Sequence, residues 1–232
     1  MLAVVSPLLL ALQPAPAPEP SRPLPPPGPI PGQCAEPARE NAGKLGCYLA
    51  AEVRLEDPPA EIRWHLFRFT DEATARAAAA DHRWSVVTFA HDRIWLHVLS
   101  PEPVVTALAG EPVAAIGPMR IPGGRPFVAR FLEARFPPGM MTRNHSHQGP
   151  EAFYVVDGVQ CVETSEAKVL LGTGEGYHFD AGIAHVQSSP GGRRNMALVL
   201  YPEGEPWMDL TPDWTPTGFC NGPAEATPSS AG

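Results

Sequence analysis

Charge is scarce in this chain. Asp, Glu, Lys and Arg together make up 18% of its 232 residues, against roughly a quarter in ordinary globular proteins. No run or cluster of Lys and Arg occurs and the net charge is −8. Nucleic acid and anionic membrane surfaces are therefore poor partners for it. No helix-turn-helix segment is visible, which argues against a DNA-binding regulator. No apolar run is long enough to span a bilayer. Cysteine is sparse too: the four are Cys34, Cys47, Cys161 and Cys220, and none forms a Cys-x-x-Cys pair. A zinc site built from thiolates is accordingly not expected.

Proline is the residue in excess, with 30 copies concentrated near the two ends. Residues 14–31 and 211–232 lack apolar periodicity and read as extended, solvated segments. The expected organisation is a possible signal peptide and Pro-rich linker over 1–33, a small α+β region over 34–108, a β-barrel over 109–208 and a disordered tail over 209–232. The apolar run from Met1 to Leu12 is followed by Ala15-Pro16-Ala17, a small-residue cleavage pattern. Periplasmic or secreted localisation is the expectation. The absence of Lys or Arg before the run, and Pro18 just after the cut, keep open a cytoplasmic protein with a disordered leader. An even number of cysteines permits disulfides in an exported chain, and Cys34 with Cys47 is the plausible local pair. Cys161, on the strand after Gly158, reads as a small buried apolar residue.

In the first half, strands are expected from Cys47 and from Glu61, separated by the Asp57-Pro58-Pro59 breaker. A helix follows Asp71, with Thr70 or Asp71 as N-cap, Glu72 in the first turn and an alanine-rich body. Trp84 and Ile94 begin two further strands around the short connection His91-Asp92-Arg93. This ββαββ order predicts a small α+β unit beside the barrel or lending strands to it. His65, His82, His91 and His97 fall irregularly on different elements and read as structural histidines. Trp64, Trp84 and Trp95 read as core.

The residues with the most chemical content lie between 139 and 189. They include Gly139, His145, His147, Glu151 and Gly158, and later Gly174, Asp180, Gly182 and His185. Two residues apart on a strand, His145 and His147 share a face. The turn-like Gln148-Gly149-Pro150 then lets a returning strand from Glu151 bring a carboxylate beside them. His185 is too distant in sequence to be placed by local geometry. Imidazole nitrogens with a carboxylate oxygen suit a divalent first-row metal. Three imidazoles and one carboxylate leave coordination positions open for water or substrate, as a functional rather than structural site does.

The two segments resemble the motifs of the cupin superfamily. The first motif, Gly-x5-His-x-His-x3,4-Glu-x6-Gly, is met at every fixed position by Gly139, His145, His147, Glu151 and Gly158. The second, Gly-x5-Pro-x-Gly-x2-His-x3-Asn, is met at Gly174, Gly182 and His185. Asp180 stands in place of its proline and Ser189 in place of its asparagine. The resemblance implies a mostly β fold, a cupin-type barrel or jelly roll, spanning roughly 110–208. It also implies one divalent transition metal (Fe, Mn, Zn, Ni or Cu) held by His145, His147, Glu151 and His185. Glu151 is the expected catalytic group, able to move a proton. By strand alternation Phe153 and Gln187 point inward, and Arg143 shares parity with the two histidines, so these three are the expected substrate contacts. A metal-dependent dioxygenase-like oxidoreductase or an isomerase acting on a small oxygenated organic molecule is the favoured function, with a non-catalytic small-molecule or metal-binding protein as the alternative. Homodimers are common in the family, and one is permitted here.

Overall fold

The computed structural model describes residues 30, 32–107, 109–210 and 213–221. The apolar N-terminal run, its cleavage pattern and nearly all of the proline-rich leader lie outside the described residues. No helix among the described residues is long and apolar enough to cross a membrane.

The elements are β1 (Gly46–Leu55), β2 (Glu61–Phe69), α1 (Glu72–Ala79), β3 (Trp84–Ala90), β4 (Arg93–Ser100) and β5 (Glu111–Arg120). After them come β6 (Phe127–Phe136), β7 (Glu151–Gly158), β8 (Gln160–Thr164), β9 (Lys168–Leu171), β10 (Gly176–Phe179), β11 (His185–Ser188) and β12 (Arg193–Pro202). Three sheets result, ordered β1-β6-β12-β7-β10, β11-β8-β9 and β3-β4-β2-β5. The first two close around the site as the two walls of a mostly β, cupin-type barrel.

Alternation along the five-stranded sheet explains the layering. Phe127, Ala129 and Phe131 of β6, Ala152 and Tyr154 of β7, and Met196, Leu198 and Leu200 of β12 share one core with Leu55, Trp64 and Trp95. Their sequence neighbours Leu132, Ala134 and Phe136, Phe153 and Val155, and Ala197 and Val199 belong to a second core inside the barrel. Successive side chains leave a strand on opposite faces. The sheet is therefore buried on both sides, and charged residues survive within it only where they find partners or function.

The expected division at 108/109 does not describe the packing. β1, assigned to the N-terminal region, is the edge strand of the barrel sheet, paired antiparallel with β6 from Gly46↔Arg135 to Leu55↔Phe127. β5, assigned to the barrel, instead pairs with β2 in the small sheet. One shared core crosses the boundary, so neither part buries its apolar face alone. The tail expectation also changes. Residues 209–210 and 213–221 pack against the barrel: Ser146 bridges to Asp209, Thr217 N–H donates to Glu163, and Cys220 is joined to Cys161. Cys161 is thus buried as expected but as half of a disulfide, while Cys34 does pair with Cys47. The partner of Cys161 was out of reach of local reasoning because 59 residues separate it from Cys220.

The helix is capped as expected, with the Asp71 carboxylate accepting from Thr74 N–H at 2.8 Å. Its Ala75 and Ala78 are buried against the small sheet. The His91-Asp92 connection has both residues at positive φ, 51° and 63°, the geometry that matches strand twist in a two-residue hairpin. It also carries a tether: His91 N–H donates to Glu133 at 3.0 Å, and its Nε2 lies 3.0 Å from the Asn195 carbonyl.

The histidines of the small sheet are structural. The Trp64 indole can only donate, so His97 Nδ1 accepts from it at 3.1 Å and His97 Nε2–H donates to the Thr88 hydroxyl at 2.8 Å. Burial pushes His97 down to about 3 and His91 down to about 4. The folded state thus refuses protons that the unfolded chain takes up near pH 6.5. The stability these neutral rings contribute is fully present above about pH 6.5 and is lost as pH falls from there towards 4. Denaturant titrations of metal-free protein should show stability dropping through that window. His97→Gln should lower stability at pH 7 and flatten the slope by about 1.4 kcal/mol per pH unit; an undiminished slope would remove His97 from this account.

Candidate metal centre

Three separate stretches of chain deliver the site. Glu151 opens β7 on the inward face, ahead of Phe153 and Val155. His185 opens β11. His145 and His147 lie on the segment between β6 and β7, which is no ladder strand. Its order comes from isolated bridges, Met141↔Ser188, His145↔His185 and Ser146↔Asp209. His145 and His185 exchange both main-chain bonds, at 3.1 and 2.9 Å. This direct pairing, rather than strand regularity, brings their rings to 4.0 Å between centroids. Alternation survives all the same, with His145 and His147 buried and Ser146 between them half-buried.

Glycine is required at two points of this scaffold. A Cβ at Gly149 would stand 1.9 Å from the Leu200 carbonyl oxygen, where the chain turns into β7 against β12. Gly158 closes β7 at φ 85°, and a Cβ there would meet the Gly192 carbonyl at 2.2 Å. The two departures from the second motif are both accommodated. Asp180 sits at the surface with Arg120 3.9 Å away. Ser189 is buried, donates to the Phe136 carbonyl at 3.3 Å and accepts from Gly139 N–H at 2.7 Å, tying β11 to the start of the first motif.

The four donors converge, with their ligand atoms all within 4.8 Å of one another and every residue buried. Glu151 Oε2 lies 2.9 Å from His185 Nε2 and 3.2 Å from His147 Nε2. Each histidine uses its other nitrogen on the main chain. His145 Nδ1 is 2.7 Å from the Arg143 carbonyl, His147 Nδ1 is 2.6 Å from Trp207 and His185 Nδ1 is 3.1 Å from Ile183. A carbonyl only accepts, so each Nδ1 carries the proton and each Nε2 presents a bare lone pair. Those lone pairs face an anionic oxygen, and His147 Nε2, His185 Nε2 and Glu151 Oε2 have no hydrogen-bond partner. Without a cation this arrangement is repulsive. Two ligands about 2.1 Å from one ion at right angles stand about 3 Å apart, which the measured separations match. The residues fit a single metal ion.

Electrostatics support the required protonation states. Burial pushes His145 well below the usual histidine range, and the adjacent His185 and His147 push it further. Burial alone would raise Glu151, yet when His147 and His185 carry a second proton their positive charge more than offsets it and holds the carboxyl below the usual range. Neutral imidazoles and an ionised carboxylate are what a divalent metal binds.

The donors open into a cavity of about 510 Å³. Thr142, Gln187, Arg193 and Asn195 give it polar groups, and Leu132, Ala134, Phe136 and Ala197, which share a sheet face with Arg193 and Asn195, give it apolar surface. Its roof comes from residues 33–35 and from Trp207, Met208 and Leu210. Arg130 clamps the two, lying 4.8 Å from the Trp207 ring centre while donating to the Cys34 carbonyl and to Glu52.

The expected substrate contacts divide. Gln187 is buried on the wall, with Nε2 donating to Glu151 Oε1 at 3.4 Å and Oε1 accepting from Arg193 at 3.2 Å. Arg143 lines the mouth with an exposed side chain, and its carbonyl orients His145. Phe153 points inward as alternation requires, yet it is absent from the cavity wall. It is fully buried against Phe179, whose ring in turn packs 4.6 Å from that of His185. The expectation that it meets a ligand is therefore corrected: it supports a metal donor from behind. Arg193, Asn195, Thr142 and Trp207 were not anticipated. Parity with Ala197 on β12 could have pointed Arg193 and Asn195 inward, but no local signal marks Trp207.

A family model for the cupin domain matches residues 132–201, the stretch that holds all four donors. Among solved structures, a cupin superfamily protein from Desulfitobacterium hafniense is 13% identical over 36% of this chain and 73% of its own, with a TM-score of 0.31. A cupin-like protein from Thermotoga maritima is 17% identical over 36% of this chain and 65% of its own, with a TM-score of 0.32. A variant of Bacillus subtilis oxalate decarboxylase is 17% identical over 35% of this chain and 23% of its own, with a TM-score of 0.32. A search of curated proteins found no match. The family match and the converging donors agree on residues 132–201, which form a cupin domain.

Proposed function

We propose that this protein is a metal-dependent enzyme of the dioxygenase or isomerase kind. In this reading His145, His147, Glu151 and His185 hold one divalent transition metal, and the substrate is a small oxygenated organic molecule. The observation that carries it is the set of bare, buried Nε2 and carboxylate atoms aimed at one point beside a cavity. When bound, the ion would supply Lewis acidity or a redox-active centre. The chain's own contributions are distinct. Main-chain carbonyls fix each imidazole in the Nε2-donor tautomer. Gln187 holds Glu151 Oε1 and so aims Oε2 at the position of the ion; Glu151 would take a proton from substrate on leaving it. The roof of residues 33–35 and 207–210 excludes bulk water. Arg143, at the mouth, meets polar groups of an entering ligand.

One observation favours a rival reading, ligand binding without turnover. Among the described residues that line the cavity, Glu151 is the sole carboxylate, and His145 and His147 are the only histidines. Proton transfer must therefore run through Glu151 itself.

The reading extends to location. All four cysteines are paired in two disulfides, which supports an oxidising compartment outside the cytosol, periplasmic or secreted. Mass spectrometry of protein from the native host should find a cleaved N-terminus and a mass lower by four hydrogens than the reduced chain. A mature protein that begins at Met1 or carries free thiols would refute export.

Elemental analysis should find close to one transition-metal ion per chain in the purified protein, with a sharp drop in His147→Ala. Equal occupancy in that variant would defeat the ligand assignment. Oxygen uptake by metal-loaded protein against catechols, flavonols and β-diketones, with product analysis for isomerisation, tests turnover. Glu151→Gln should reduce kcat by at least about a hundredfold if Glu151 moves the proton. Silence across the substrates, with a small molecule tightly retained, would favour the binder.

A further inference from the structure

The metal site leaves Arg193 unexplained. It opens β12 on the inward face, is only 4% exposed, and lines the cavity beside the donors. Its guanidinium lies 4.6 Å from the Phe136 ring centre. Its protein hydrogen bonds are few and long. Nη2 donates to Gln187 at 3.2 Å, Nη1 to the Ser188 carbonyl at 3.4 Å, and the buried Nε has no acceptor. Both acceptors are neutral, and among the described residues no carboxylate oxygen lies within the 4.0 Å of an ion pair with it. The contrast with Arg130 is direct, because that buried guanidinium is paired with Glu52.

An isolated buried cation is expensive to hold, so such a group persists where something compensates it or where function uses it. Burial pushes Arg193 down to about 9 and Glu151 draws it partly back, so the guanidinium is still charged at neutral pH. Glu151 cannot serve as its counter-ion as well, since that carboxylate faces the imidazoles and is held by Gln187. A divalent ion in the site would leave a further excess of positive charge. Two residues along the same face, buried Asn195 has an unpartnered Oδ1 and also lines the cavity. Beside them on the same sheet face, Leu132, Phe136 and Ala197 form an apolar strip that lines the cavity.

We propose that the cavity selects a small organic carboxylate, with Arg193 as the anion-recognising residue and Asn195 beside it. The planar guanidinium suits a carboxylate in two-point contact. The ligand's apolar body then lies along Leu132, Phe136 and Ala197, and its other oxygens point towards the four donors. This rests on the reading above for the position of the metal, but Arg193 acts on the ligand whether or not an ion is bound.

The test is isothermal calorimetry with benzoate, phenylacetate, 3-phenylpropionate and hexanoate, each against its uncharged amide. It is run on full-length protein both stripped with EDTA and reloaded with Mn²⁺. The expected result is at least one acid that binds about tenfold or more tighter than its amide in both states. Arg193→Met should bring acid and amide to similar affinity without changing metal content. Arg193→Lys keeps the charge but loses the fork, so it should show a smaller preference, and it covers the case in which the Met variant does not fold. Equal binding of acids and amides by wild type would overturn the proposal. So would the absence of saturable binding by every acid, or a preference undiminished in the substituted proteins. Failure of Mn²⁺ to bind, with the acid preference intact in stripped protein, would count against the metal reading alone and leave Arg193 its role.

Discussion

Each site histidine donates its Nδ1 proton to a main-chain carbonyl, and the rest of the centre depends on that. The donation settles the tautomer, the tautomer bares Nε2, and the bare nitrogens meet a carboxylate that only a cation can reconcile with them. The three carbonyls, on Arg143, Ile183 and Trp207, come from parts of the chain far apart in sequence. The geometry of the metal site is therefore a property of the closed barrel and not of any one strand. Trp207 also stacks on the His147 ring at 5.6 Å, so the segment after β12 both orients that ligand and roofs its cavity.

The five-stranded sheet shows how the remainder of the chain serves this end. One face holds the donors' wall and the other is sealed by the small α+β sheet through Trp64 and Trp95, which pack on Phe131 and Tyr154. Because the sheet is covered behind, inward residues such as Arg193 and Asn195 are isolated from solvent on that side. A low local dielectric strengthens what they can do to a charged ligand and raises the cost of leaving them unpaired. The two disulfides act at the margins of the same construction. Cys34–Cys47 fixes the N-terminal turn to β1, while Cys161–Cys220 fixes the C-terminal segment to β8. Both segments contribute to enclosing the site, and both lie at or beyond the edge of the matched cupin domain.

Much of this was readable before any coordinates. The strands expected from Cys47, Glu61, Trp84 and Ile94 begin at or within one residue of those positions, since apolar alternation and flanking turn residues leave few alternatives. The helix begins where Asp71 can cap it. His145, His147, Glu151 and His185 do meet. What brings them together differs from strand alternation, because His145 and His147 sit on a bridged segment and not on a ladder strand. Phe153 shows the limit of parity: facing inward is a statement about direction, whereas lining a cavity depends on what stands in front. The unit over 34–108 lends β1 to the barrel sheet and takes up β5 from beyond 108, since turn composition marks where the chain bends and not which sheet a strand joins.

What the sequence by itself determined was the chemistry available: which donors exist, at what spacing, and in what alternation along each strand. These follow from backbone periodicity and ligand preference, which are local. Only the tertiary structure decided which sheet β1 and β5 join, that Cys161 meets Cys220, that Trp207 holds His147, and that Arg193 is left without a counter-charge. Each of those is a contact between distant segments, settled by how two apolar faces of a single sheet are buried at once, and no short stretch of residues encodes it.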